Sequence, residues 1–120
     1  MRSNLPIINV YKKQNLRSEI VTQILYGETF KIIKQNKSWL KIKNDSDRYK
    51  GFIKKKNFPL NHKNTHKVFN LFANLYFKPN KNFLIKKKLS FGSKIKVTKK
   101  IGHFYKFDNL WIKKQDLKLI

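Results

Sequence analysis

Shifting the chain along itself by 65 residues superimposes residues 9–42 on residues 74–107 without a gap, and nine of those 34 positions are identical. Lysine matches mean little in so lysine-rich a sequence. The weight therefore falls on Tyr11 with Tyr76, Gly27 with Gly92, and the conservative pairs Val10/Leu75, Tyr26/Phe91, Phe30/Ile95, Ile32/Val97 and Trp39/Phe104. A deletion of about six residues in the second copy then brings Gly51-Phe52-Ile53-Lys54-Lys55 onto Leu110-Trp111-Ile112-Lys113-Lys114. A fixed offset of this kind marks one structural unit made twice. It sets the expected organisation: a first small domain over residues 1–58, a linker over residues 59–67, and a second domain over residues 68–120. Domains of this size bury a modest share of their surface, and each would be marginal on its own.

Each copy reads as short strands. The run Thr29-Phe30-Lys31-Ile32-Ile33-Lys34 puts Phe30 and Ile32 on one face, and Ser38-Trp39-Leu40-Lys41-Ile42-Lys43 does the same for Leu40 and Ile42. The polar Gln35-Asn36-Lys37 between them has hairpin composition. In the second copy the pattern predicts a strand over residues 94–99, a turn at Lys100-Ile101-Gly102 and a strand over residues 103–107. Gly27 and Gly92 precede a strand at the same phase, where a turn with positive φ would exclude most other residues. No window has helical periodicity. The expected fold class is all-β, two small closed barrels in tandem, since closure removes the edges an open sheet of this size would expose. The stretch around Pro59, His62 and His66 is polar and proline-interrupted, so it reads as a mobile linker despite the i, i+4 histidine spacing.

The 120 residues contain no cysteine, which excludes a thiol nucleophile, a disulfide framework and a cysteine zinc site. Six carboxylates leave little material for a metal cage or a pair of catalytic acids. No cofactor, metal or catalytic residue is therefore expected, and no stretch is long and apolar enough to span a membrane. Residues 1–10 lack the pattern of a secretory signal, so the expected location is cytoplasmic. The net charge of +23 would ordinarily point to nucleic acid. Only Arg2, Arg17 and Arg48 are arginine, however, and lysine lacks the planar fork that reads bases or clamps phosphate. Lys, Asn and Ile make up 52 of 120 residues, as codon bias in an AT-rich genome would produce. The lysine runs 54–56 and 86–88, interleaved with Tyr11, Trp39, Phe52, Tyr76, Phe77, Phe104, Tyr105 and Trp111, support an alternative reading as a nucleic-acid-binding barrel pair, RNA- or ribosome-associated, that stacks bases.

The runs Val10-Tyr11, Arg17-Ser18-Glu19-Ile20-Val21-Thr22-Gln23-Ile24-Leu25-Tyr26-Gly27-Glu28, Trp39-Leu40-Lys41-Ile42 and Tyr49-Lys50-Gly51-Phe52-Ile53 resemble bacterial SH3-like (SH3b) domains. The likeness is greatest to the tandem domains at the N-terminus of NlpC-type cysteine endopeptidases, the dipeptidyl-peptidase VI group, which cleave peptidoglycan peptides. The resemblance implies a non-catalytic module that recognises muropeptide or cell-wall polymer and positions it for a γ-D-glutamyl-diamino-acid endopeptidase domain in the same or an adjacent gene product. With no cysteine in the chain, the nucleophile lies elsewhere. In some relatives a Glu and a Tyr of the first such domain hold the substrate's terminal ammonium. The resemblance carries the tyrosine to Tyr49 and the acid to Glu19, or second to Glu28. Trp39 and Phe52 complete the set of candidate ligand-binding residues.

Overall fold

The computed structural model describes all 120 residues and divides the chain into two compact units, Met1–Asn61 and His62–Ile120. Both are all-β, and neither contains a helix long and apolar enough to cross a membrane.

Unit 1 holds strands β1 (Ile7–Tyr11), β2 (Ile20–Leu25), β3 (Phe30–Gln35), β4 (Trp39–Asn44) and β5 (Lys50–Lys54) in one antiparallel sheet of order β2-β1-β5-β4-β3. All five contribute to a single apolar cluster of Ile8, Val10, Ile24, Phe30, Leu40, Ile42 and Ile53. One sheet whose every strand feeds one cluster has to curl on itself, which is what alternation with a single inward face achieves. Phe30, Leu40 and Ile42 are buried as the pattern predicts, and Asn36 makes the hairpin: its Oδ1 accepts from the backbone N–H of Ser38 (3.0 Å) and Trp39 (2.8 Å). Ile32 departs from expectation at 36% exposure. It pairs with the buried Ile42 and so shares the inward face, but β3 is an edge strand with no neighbour on its other side to cover the side chain.

Unit 2 repeats the order. Strands β6 (His66–Val68), β7 (Phe72–Tyr76), β8 (Leu84–Ser90), β9 (Lys94–Ile95), β10 (Lys99–Ile101), β11 (Phe104–Phe107), β12 (Leu110–Lys113) and β13 (Leu117–Leu119) form a five-stranded sheet β10-β11-β12-β7-β8 and a three-stranded sheet β13-β6-β9. Under the 65-residue offset β7 falls on β1, β8 on β2 and β11 on β4, with the same neighbours. The correspondence extends to individual hydrogen bonds. Gly27 N–H donates to Ser3 C=O (2.9 Å) and Ser3 N–H to Glu28 C=O (2.9 Å); Gly92 N–H donates to Val68 C=O (3.0 Å) and Val68 N–H to Ser93 C=O (2.8 Å). Both glycines have positive φ, 81° and 90°, as the turn requires.

Three expectations about the second copy need correction. The strand over residues 94–99 is broken into β9 and β10, because Val97 N–H is taken by the Thr65 hydroxyl (3.0 Å) rather than by a neighbouring strand. The turn falls at Gly102 and His103 while Lys100 and Ile101 remain in β10, since Ile101 pairs with Phe104. The end of the supposed linker is structured: His66 opens β6, pairs with Ile95 and is buried. The six-residue deletion shortens one connection. Unit 1 joins β4 to β5 through a loop containing Tyr49, whereas unit 2 turns at Asp108 and Asn109, both at positive φ (43° and 64°), the geometry of a two-residue hairpin.

Gly51 lies where β5 passes β1 most closely. A Cβ there would stand 2.7 Å from the Tyr11 carbonyl oxygen and 2.7 Å from Val10 Cγ1. Gly51→Ala is expected to destabilise unit 1 by about 1–3 kcal/mol through overpacking. Each unit has a single tryptophan, so denaturation followed by Trp39 fluorescence in a Trp111→Phe background reads unit 1 alone, and the Trp111 transition in a Trp39→Phe background should not move.

Candidate ligand cleft

Along β4, alternation from the core residues Leu40, Ile42 and Asn44 puts Trp39, Lys41 and Lys43 on the other face of the unit 1 sheet, where Trp39 keeps only 9% exposure. Register places Phe52 opposite both Lys41 and Tyr11. Tyr11 and Trp39 meet edge to face, with ring centroids 6.3 Å apart and planes at 85°, a favourable quadrupole arrangement. The Lys54 ammonium lies 4.7 Å above the Trp39 ring. Around these rings opens a cleft of about 310 Å3 lined by Gln14, Lys34, Gln35, Asn36, Trp39, Lys41 and Phe52. Its size lies near the lower end of small-ligand sites, roughly 300–1,000 Å3. Asn36 Nδ2 donates to Gln14 Oε1 (2.8 Å), tying the β1–β2 loop to the β3–β4 hairpin across one side of the opening.

The lining chemistry is narrow: aromatic rings, carboxamides that donate and accept, and two ammonium groups. No carboxylate lines the cleft. It therefore suits a ligand with an apolar ring face or stem, amide groups and negative charge, and offers no anionic acceptor for a ligand ammonium.

The candidate residues are distributed over four places. Trp39 and Phe52 share this cleft. Glu19 is exposed and lines a separate polar cleft with Lys12, Lys13, Asn15, Arg17 and Ser18. Tyr49 lines neither; it is 58% exposed in the β4–β5 loop, where its N–H donates to Asp47 Oδ1 (2.9 Å) and the other oxygen of Asp47 accepts from the Thr22 hydroxyl. Glu28 is used by its own turn, its Oε1 accepting from Leu25 N–H at 2.7 Å. Gln14, Lys34, Gln35 and Asn36 were not singled out from the sequence as ligand residues. The signal available was their place in the loop and hairpin that flank Trp39.

A five-stranded antiparallel sheet curled round one core, with its aromatic cleft between the first loop and a hairpin, defines unit 1 as an SH3-like domain. Residues 3–58 match the family model of the bacterial SH3 domain, and this part of the chain is such a domain. A comparison with curated proteins found no match.

Outside the cleft, His66 carries the clearest electrostatic signature. It packs edge to face on Tyr105 at 5.5 Å, its Nδ1 lies 2.7 Å from the Thr65 hydroxyl, and Lys100 lines the same pocket. Burial, followed by repulsion from Lys100, holds its pKa below the ordinary 6.5. The unfolded chain then binds the proton more readily, so the contribution of neutral His66 is fully present above about pH 6.5 and is lost as pH falls toward the lower folded value. Unit 1 has no histidine. Its Asp45, held below 3.8 by the Thr29 hydroxyl and by Lys31, loses its contribution only at more acid pH. Between pH 7 and pH 5 the Trp111-reported stability of unit 2 should fall while the Trp39-reported stability of unit 1 holds, and His66→Gln should flatten the unit 2 slope.

Proposed function

We propose that this chain is a non-catalytic recognition module that binds cell-wall polymer or its muropeptide fragments through the unit 1 cleft. Bacterial SH3 domains are in general cell-wall and peptidoglycan-binding modules, and the match over residues 3–58 supports that class of ligand here. The observation that carries the reading is the cleft: aromatic rings for the face of a sugar or the stem of a peptide, Gln14, Gln35 and Asn36 for amide groups, and Lys34 and Lys41 for the carboxylates that stem peptides bear. Cleavage is supplied by a partner, in this reading an NlpC-type catalytic domain with its own cysteine and histidine. In the cytoplasm the ligand would be a soluble muropeptide; at the wall it would be the polymer.

The nucleic-acid alternative receives less support from the side chains. Lysine ammonium groups lie over Trp39, Tyr76, Tyr105 and Trp111 at 4.7–5.9 Å, so any ring that stacks on these four must first displace a cation, and Phe52 is the cleft aromatic that carries the stacking in the preferred reading. Single-stranded RNA at several salt concentrations is the appropriate comparison ligand.

The test is titration with disaccharide-peptide muropeptides and co-sedimentation with purified peptidoglycan. Phe52→Ala and Lys41→Glu should each weaken binding by about tenfold or more, the loss typical of a residue central to a site. Glu19→Gln and Tyr49→Phe should leave affinity within about twofold. The reverse pattern would move the site to the Glu19 and Tyr49 side, and salt-resistant RNA binding without muropeptide binding would reject the reading.

A further inference from the structure

The two units also differ in chemistry around the loop joining their first two sheet strands. Lys12 of unit 1 corresponds to Phe77 of unit 2 and Glu19 to Leu84, both under the 65-residue offset, and Gly51 corresponds to Leu110 across the deletion. All three replacements are large and apolar, and all three line one groove together with Ile85, Lys86 and Lys87. Phe77 is 65% exposed and Leu84 56% exposed, far more than core packing would leave. They sit at the tip of the β7–β8 hairpin, closed by the Phe77 N–H to Phe83 C=O bond (3.0 Å), with Phe83 itself exposed and the Lys78 ammonium 5.0 Å over its ring.

Charge completes the pattern. Lys78 and Lys81 lie in the connection between β7 and β8, Lys86 and Lys87 line the groove, all four are exposed, and no carboxylate occurs anywhere between His62 and Phe107. An exposed apolar tip flanked by one sign of charge matches a surface that offers hydrocarbon below a negative layer. We infer that the β7–β8 tip of unit 2 docks on anionic lipid bilayers, with Phe77, Phe83 and Leu84 entering the interface and the lysines meeting the headgroups. Lysine stems are suited to this, since they lie along apolar groups while the ammonium reaches polar ones. Each lysine near an anionic surface adds attraction that fades over a Debye length, so the docking is salt-sensitive. This inference is independent of what the unit 1 cleft binds.

The experiment is co-sedimentation of the full chain with vesicles of phosphatidylcholine, with and without phosphatidylglycerol. The double variant Phe77→Lys with Leu84→Glu restores the unit 1 residues at the tip without changing net charge. Binding to phosphatidylglycerol vesicles should weaken by about tenfold or more, while the Trp111-reported denaturation transition is retained because both side chains are more than half exposed. Lys86→Gln with Lys87→Gln should weaken binding at low salt, keep the tip apolar and serve if the first variant misfolds. Equal binding by all variants would overturn the inference and leave only diffuse attraction by a basic protein. Absence of wild-type binding to phosphatidylglycerol vesicles would also overturn it, including the case in which the same residues capture an acidic protein.

Discussion

The feature on which both units depend is a backbone clasp, made of two hydrogen bonds between the residue three places into each copy and the turn after its second sheet strand. In unit 1 Ser3 exchanges bonds with Gly27 and Glu28, and in unit 2 Val68 does so with Gly92 and Ser93. A five-stranded sheet of this length has edges at β2 and β3, or at β8 and β10, and unpaired edges invite association with other chains. The clasp brings the chain's entry segment onto the turn where the second strand ends and the third begins. Met1 then pairs with Phe30, and His66 with Ile95, which helps shelter those core side chains. Glycine at positive φ permits the turn, and its side-chain fittings are free to differ. Glu28 bonds back to Leu25, while Ser93 at the same phase has a buried hydroxyl with no partner.

The two units share this strand order and differ at exposed positions. Unit 1 keeps Gln14 and Asn36 to bridge its cleft, where the offset gives Pro79 and Ile101 in unit 2, which cannot form that carboxamide pair. Unit 2 instead carries the apolar tip at Phe77 and Leu84. The outer-face aromatic pairs survive in both: Tyr11 with Trp39, and Tyr76 with Phe104 at 5.1 Å and 85°. Tyr76 of the unit 2 pair is nearly inaccessible, whereas Tyr11 of the unit 1 pair is half-buried. The net charge of +23 is divided between two surfaces of different character, which composition alone does not reveal.

Much of the fold was legible because it is local. Alternation identified Phe30, Leu40 and Ile42 as inward-facing, and the glycine phase located both turns. The errors came from long-range competition. The break after Ile95 depends on the Thr65 hydroxyl, which takes the N–H of Val97 from 32 residues away in sequence, and His66 becomes a strand residue only because β9 and β13 are there to flank it. The site was half legible. Trp39 and Phe52 stand out as aromatics in strands, whereas the contributions of Gln14 and Asn36 depend on two loops meeting. Glu19 and Tyr49 belong to clefts and loops distinct from the aromatic one.

In the proposed mode of recognition, ligand enters between the β1–β2 loop and the β3–β4 hairpin of unit 1. That mode is tested most directly by following backbone amide, carboxamide and indole resonances of the full chain by NMR during titration with a disaccharide-peptide muropeptide. The cleft assignment predicts saturable shifts centred on Gln14, Gln35, Asn36, Trp39, Lys41 and Phe52, with unit 2 amides unmoved. Shifts confined to Glu19, Asp47 and Tyr49, or no saturable shifts in unit 1, would contradict it.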